Sequence, residues 1–141
     1  MSLCGIVLSI VLSGVGSAKG ASMIGKAAAA LISEQPEKFG QSLLLQMMSA
    51  SQGLYGFIVS FLILTNLSNA ITYQSAFRYL GAGVIMGLSG YITAIYQSIA
   101  ATAGIQILAK KPEHSTKGVL YSAMIETYAI FALVVSVLLV M

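Results

Sequence analysis

Four long apolar runs, at residues 3–32, 38–66, 76–109 and 118–141, fill nearly all of this 141-residue chain. Hydrocarbon offers the backbone no hydrogen-bond partner, so segments that cross it must satisfy themselves as helices or closed barrels. A helix rises about 1.5 Å per residue, so each run spans a bilayer core of about 30 Å, and the longer ones project beyond it. The chain is 57% hydrophobic and 8% charged, against about 25% charged in soluble domains. A soluble protein of this composition would expose large apolar patches. The expected fold is therefore an all-α membrane protein with four transmembrane helices, one membrane domain over residues 1–141. Any catalytic domain would have to sit on another chain. The N-terminus lacks the basic stretch of a secretory signal, so the first run reads as a retained span. Cys4, the single cysteine, excludes an internal disulfide and reads as a small buried or terminal thiol.

The fourth run carries the decisive residue. Asp is absent, and Glu34, Glu37 and Glu113 lie in polar punctuation, but Glu126 is flanked on both sides by apolar sequence. A charged group at the centre of a bilayer costs about 3 kcal/mol even on lenient scales. Glu126 is tolerable only if a proton, a cation or a basic partner neutralises it.

The polar stretches Ser33–Gly40 and Lys110–Lys117 separate the runs within each half, and an uncharged connection, Asn66–Ser75, joins the halves. The first and third loops carry basic residues, Lys38 in one and Lys110, Lys111 and Lys117 in the other, and the second carries none. By the positive-inside rule, loops one and three are cytoplasmic, and both termini and the second loop lie outside. The net charge of +3 thus speaks to topology and lipid contact, and calls for no nucleic acid. Lys19 and Lys26 interrupt the first run. They read as snorkelling to a headgroup or water-filled surface, with a part in an ion path as the alternative. Tyr128 reads as a packing residue and His114 as a solvated or partner-contacting loop residue.

Shifted by 76 residues, the chain overlays itself: Pro36-Glu37 on Pro112-Glu113, Gly14 on Gly90, and Leu54–Ser60 on Ile130–Ser136. The unit is a helical hairpin used twice in the same orientation, one copy over about residues 1–70 and the other over about 71–141. Glu126 falls on Ala50 and Gln97 on Ala21, so only the second hairpin carries the carboxylate. Of the fourteen glycines, five lie in the first run and five in the third. Ser9, Ser13, Gly16, Gly20 and Ala27 form a stripe of small residues on one. Gly83, Gly87, Gly90, Ala94, Gln97, Ala101 and Gly104 form another, with one amide set into it. Such stripes let membrane helices approach closely. Helices one and three are expected to form a crowded inner layer, with two and four outside.

These motifs resemble the rotor-ring proteolipid, subunit K or c, of vacuolar-type ATPases. The resemblance rests on Ser13–Gly20, the two Pro-Glu loops, Gln52-Gly-Leu-Tyr-Gly-Phe57, Ala103–His114 and Glu126-Thr-Tyr-Ala129. It covers essentially the whole chain and looks most like the bacterial sodium-translocating branch. That likeness implies an ion site built from Glu126, Gln97, Gln52, Ser51 and the Met48 backbone carbonyl, with Tyr55 hydrogen-bonding the carboxylate. Ser51 stands where the family usually has Thr, and Met48 where it usually has Leu. The likeness further implies a homo-oligomeric ring in the cell membrane and a stator subunit with a basic side chain. Central-stalk subunits would dock at loops 33–40 and 110–117, and ATP hydrolysis would lie on other subunits.

Hard cations prefer oxygen ligands. Two amides and a hydroxyl around one carboxylate exceed what a proton needs, so sodium (Na+) is favoured over a proton (H+) as the ion carried. Two other readings compete. A self-contained transporter usually needs an inverted repeat, whereas this repeat is parallel. A purely structural four-helix protein would not need Glu126.

Overall fold

The computed structural model describes residues 1–67 and 72–141. Among the described residues, five α-helices build four spans. α1 is Ser2–Glu34, and α2 (Phe39–Met47) and α3 (Ser51–Asn66) share the second span. α4 is Tyr73–Lys110 and α5 is Ser115–Val140. All four spans are long and apolar enough to cross a membrane, and no strand occurs among the described residues. The connection expected at 66–75 is shorter than the sequence suggested. α4 begins at Tyr73 because Thr72 and Ser75 form a capping box, the Thr72 hydroxyl accepting from the Ser75 amide at 3.2 Å. This satisfies end-of-helix amides that apolar periodicity does not reveal. Residues 68–71, and with them the boundary between the two hairpins, lie outside the described residues.

The second span is not one continuous helix. A 3-10 turn at Met48–Ala50 separates α2 from α3. The local sequence Met48-Ser-Ala-Ser supplies a cause: Ser51 Oγ donates to the Met48 carbonyl at 3.1 Å. Such side-chain bonds compete with the helical ladder, and short 3-10 stretches inside helices often mark functional positions.

The duplication persists at atomic detail. Gln35 and Lys111, 76 residues apart, close their helices at φ −136°, ψ 73° and φ −144°, ψ 80°. Each precedes a proline, which disfavours the helical region for it. Toward the end of the bundle away from the hairpin turns, Ser60 Oγ donates to the Ile6 carbonyl at 2.9 Å, and its counterpart Ser136 Oγ to the Ala82 carbonyl at 3.1 Å. Interhelical bonds of this kind contribute about 0.6 kcal/mol each. Where the repeats differ, the halves are tied together. Lys38 Nζ, buried, donates to the carbonyls of Leu108 at 2.9 Å and Ala109 at 3.0 Å. The last carbonyls of a helix lack intrahelical partners and attract cations. Lys38 therefore caps α4 from the first hairpin, and both hairpin turns lie at one end of the bundle.

α1 and α4 pack backbone to backbone. Every member of the Gly83–Gly104 stripe is buried. A Cβ at Gly83 would overlap the Gly5 backbone, and one at Gly16 would fall 2.6 Å from Tyr91 Cα. The first stripe needs one correction: Ala28 holds the buried position and Ala27 is only half-buried, because the face that α1 turns to the bundle at this end is that of Ile24, Ala28 and Leu31, packed with Leu45 and Leu108. Cys4 is exposed on α1, so it is not a core thiol. Two apolar clusters stack along the bundle. One holds Ile24, Leu31, Leu45, Ala101 and Leu108, the other Val59, Ile63, Ala82, Met86 and Val140.

Gly83→Val should lower the stability of the detergent-solubilised protein by about 1–3 kcal/mol, the usual cost of overpacking. Gly40→Ala, where an added Cβ meets nothing within 4 Å, should be neutral or stabilising. Thermal unfolding followed by circular dichroism checks both, and equal effects would refute the close α1–α4 contact.

Candidate ion-binding site

Between the two apolar clusters the bundle turns polar. Gln52 projects from the first turn of α3 and Gln97 from the middle of α4, and both are fully buried. Two buried amides need partners, since an unpaired one costs about 1–3 kcal/mol. They find each other: Gln52 Nε2 donates to Gln97 Oε1. Gln52 Oε1 in turn accepts from Ser51 Oγ at 3.3 Å, and the same hydroxyl donates to the Met48 carbonyl. Gln97 Nε2 reaches Glu126 Oε2 at 3.5 Å, at the outer limit of a hydrogen bond. Tyr55 OH donates to Glu126 Oε1 at 2.6 Å, the short distance typical of a hydroxyl on a carboxylate. Tyr55 stands one helical turn beyond Ser51 and so shares its face of α3.

All six residues singled out in the sequence thus meet in one network drawn from three helices. Met48 contributes through its carbonyl, at the 3-10 turn. The network presents an acidic oxygen pair, two amide oxygens, a hydroxyl and a carbonyl within one cluster. Such a set can hold a hard cation, or it can hold a proton on Glu126 with the amides as scaffolding. Glu126 itself is half-buried.

Sequence reasoning missed two supports. Ser122 Oγ donates to the Gln97 backbone carbonyl at 3.3 Å and pins α5 to α4 one turn below Glu126. Ser17 Oγ accepts from the Gly53 amide at 2.8 Å and pins α3 to α1 beside Gln52. The repeat held a clue to Ser122: its counterpart is Gln46, whose Nε2 donates at 3.4 Å to the carbonyl of Ala21, the counterpart of Gln97. Residues placed outside the site stand apart from it. Tyr128 is exposed and packs edge-on against Phe131 with centroids 6.4 Å apart. Lys19 and Lys26 are exposed on α1. His114 lines a surface cleft with Lys110 and Lys117.

The profile of the ATP synthase C-subunit family matches residues 4–63 and again 80–139. The chain belongs to that family. The two matches are offset by 76 residues, as the self-overlay required, so the protein is a tandem duplication of the family's hairpin. Subunit K of the V-type sodium ATPase of Enterococcus hirae is 53% identical over 93% of this chain and 84% of its own length. Subunit K of the A-type ATP synthase of Methanocaldococcus jannaschii is 36% identical over 96% of this chain and 59% of its own. The 16 kDa proteolipid of the human V-type proton ATPase is 28% identical over 98% of this chain and 89% of its own.

Tyr55→Phe keeps the ring and removes the hydroxyl. Hydrogen bonds to charged groups contribute about 1.5–3 kcal/mol, so Glu126 should be held less firmly and react faster with a hydrophobic carbodiimide. Labelling rates measured by mass spectrometry check this; an unchanged rate would mean that Tyr55 does not restrain the carboxylate.

Proposed function

We propose that this chain is the ion-carrying rotor subunit of a vacuolar-type ATPase and carries one sodium ion per copy at mid-membrane. Identical copies form a closed ring with α1 and α4 on the inner wall, and the ring turns in the cell membrane with loops 33–40 and 110–117 in the cytoplasm. The observation that carries the reading is the hydrogen-bond network around the lone intramembrane carboxylate: Tyr55 and Gln97 reach Glu126, and Gln52 and Ser51 join through Gln97. The similarity to a V-type sodium ATPase subunit supports it. Glu126 and the amide oxygens of Gln52 and Gln97, with Ser51 Oγ and the Met48 carbonyl, are the ligands. One negative charge on one cation makes a neutral pair that can pass lipid.

A stator subunit offers two offset half-channels and a basic side chain. That side chain pairs with Glu126 as the ion leaves, so no bare charge stays buried. ATP hydrolysis on other subunits drives the rotation through a central stalk docked on the cytoplasmic loops. The second reading keeps the rotor and replaces sodium by a proton on Glu126; the similarity to a proton ATPase proteolipid favours it.

Carbodiimide labelling separates the two. The reagent needs a protonated carboxyl, so sodium should protect Glu126 if the two ions compete for one group. Displacing one proton per sodium, each pH unit upward should lower the sodium needed for half-protection about tenfold, until the free site is fully ionised. Potassium, a larger ion, should protect poorly. Labelling equally fast with and without sodium at every workable pH would establish the proton reading.

Gln97→Ala tests the ligand set. Gln97 occupies a stripe of small residues, so its removal relieves crowding and should leave assembly intact while weakening sodium protection at least tenfold. Lost assembly with unchanged sodium affinity in the surviving oligomers would make Gln97 a structural residue only.

A further inference from the structure

At the end of the bundle that carries both hairpin turns, a cleft of about 550 Å³ opens between α4 and α5. Ala103, Gln106, Ile107 and Tyr121 line it together with the basic group Lys110, Lys111, His114 and Lys117. The three lysines are exposed. Glu113 is the one acid on this turn; it is exposed and does not line the cleft. At the corresponding turn of the first hairpin the signs reverse. Glu34 and Glu37 are exposed, while Lys38 is withdrawn into the bundle, both its bonds spent on the carbonyls that end α4. Neither Glu34 nor Glu37 makes an ion pair among the described residues. The α1–α2 turn therefore presents two acids, and the α4–α5 turn presents a basic cleft.

We infer that the α4–α5 cleft is the docking site for a second copy of this chain, whose Glu34 and Glu37 face Lys110, Lys111 and Lys117. The inference rests on the ring reading above and adds the contact that sets its register. In a ring of like-facing copies every interface is head-to-tail: one flank of a copy meets the opposite flank of the next. The parallel repeat puts both turns at the same membrane face, so the acidic turn of one copy comes beside the basic turn of its neighbour. The cleft lies off the glycine stripe that α4 turns toward its own α1, which leaves that flank for the neighbour. Opposite charges at matching height favour this pairing and oppose an interface in which two α4–α5 turns meet. Lys38 has a part in this. Capping α4 keeps its positive charge off the acidic turn.

The test is a charge swap on the full-length protein purified in mild detergent. The measurement is the fraction of high oligomer surviving a temperature ramp, read by native electrophoresis and native mass spectrometry. Glu34→Lys with Glu37→Lys, and separately Lys111→Glu with Lys117→Glu, should each shift dissociation to lower temperature. The four changes together should shift it back toward the parent, which no independent loss of folding would do. In a Cys4→Ser background, Glu37→Cys with Lys117→Cys should give an oxidation ladder of covalent oligomers. A combined variant no more stable than either pair, together with no ladder, would overturn the contact while leaving the ring standing. If the lysine pair alone destabilised the oligomer, and vesicles containing phosphatidylglycerol restored it, the cleft would be a lipid phosphate site instead. A parent protein that stays monomeric would overturn both the contact and the ring.

Discussion

A carboxylate inside hydrocarbon is the constraint on which the rest of this bundle depends. Glu126 lies within an apolar span, and leaving it there unpartnered would cost several kcal/mol. The bundle answers with donors fixed by the backbone of other helices: Tyr55 OH at 2.6 Å and the Gln97 amide at 3.5 Å. Each donor is itself held. Gln97 is engaged by Gln52 and by Ser122, and the helix that bears Tyr55 is pinned to α1 through Gly53 and Ser17. Satisfying one charge has therefore set polar positions on all four spans.

Those polar positions function only because the helices come close enough. Within lipid no hydrophobic force draws helices together, so association rests on packing and on hydrogen bonds between them. The glycines of α1 and α4 bring the two backbones into direct contact, as Gly83 against Gly5 shows. With that approach, side chains as short as serine bridge helices, as Ser60 to Ile6 and Ser136 to Ala82 do. Small residues and short hydroxyls are thus one device.

Much of this was legible in the sequence, and the reasons are physical. Apolar runs of 24 to 34 residues admit few structures, so the four spans followed. Glu126 and Gln97 stood out because polar residues in such runs are costly enough to be rare. What the sequence hid was of two kinds. The 3-10 turn at Met48–Ala50 leaves hydropathy unchanged, since it alters backbone pairing and not polarity. Lys38 looked like one more loop cation, because its use as a cap for α4 depends on a contact 70 residues away. Ser122 and Ser17 escaped for a similar reason: serines are common in this chain, and only their partners distinguish them.

The asymmetry of the duplication explains how the site is divided. The position that matches Glu126 in the first hairpin is Ala50, which is exposed at the 3-10 turn. A second carboxylate there would need its own set of donors, yet the residues beside it are already engaged: Ser51 Oγ donates to Gln52 Oε1, and Gln52 Nε2 donates to Gln97 Oε1 in the network of Glu126. The first hairpin contributes Ser51, Gln52, Tyr55 and the Met48 carbonyl to the network, and the second contributes Gln97 and Glu126. Neither hairpin alone can assemble the set, because Tyr55 and Gln52 lie on one and Gln97 and Glu126 on the other. The site is consequently as rigid as the contact between the hairpins. That contact is made at both heights that matter: by Lys38 on the end of α4, and by the glycine-lined meeting of α1 with α4 through the membrane.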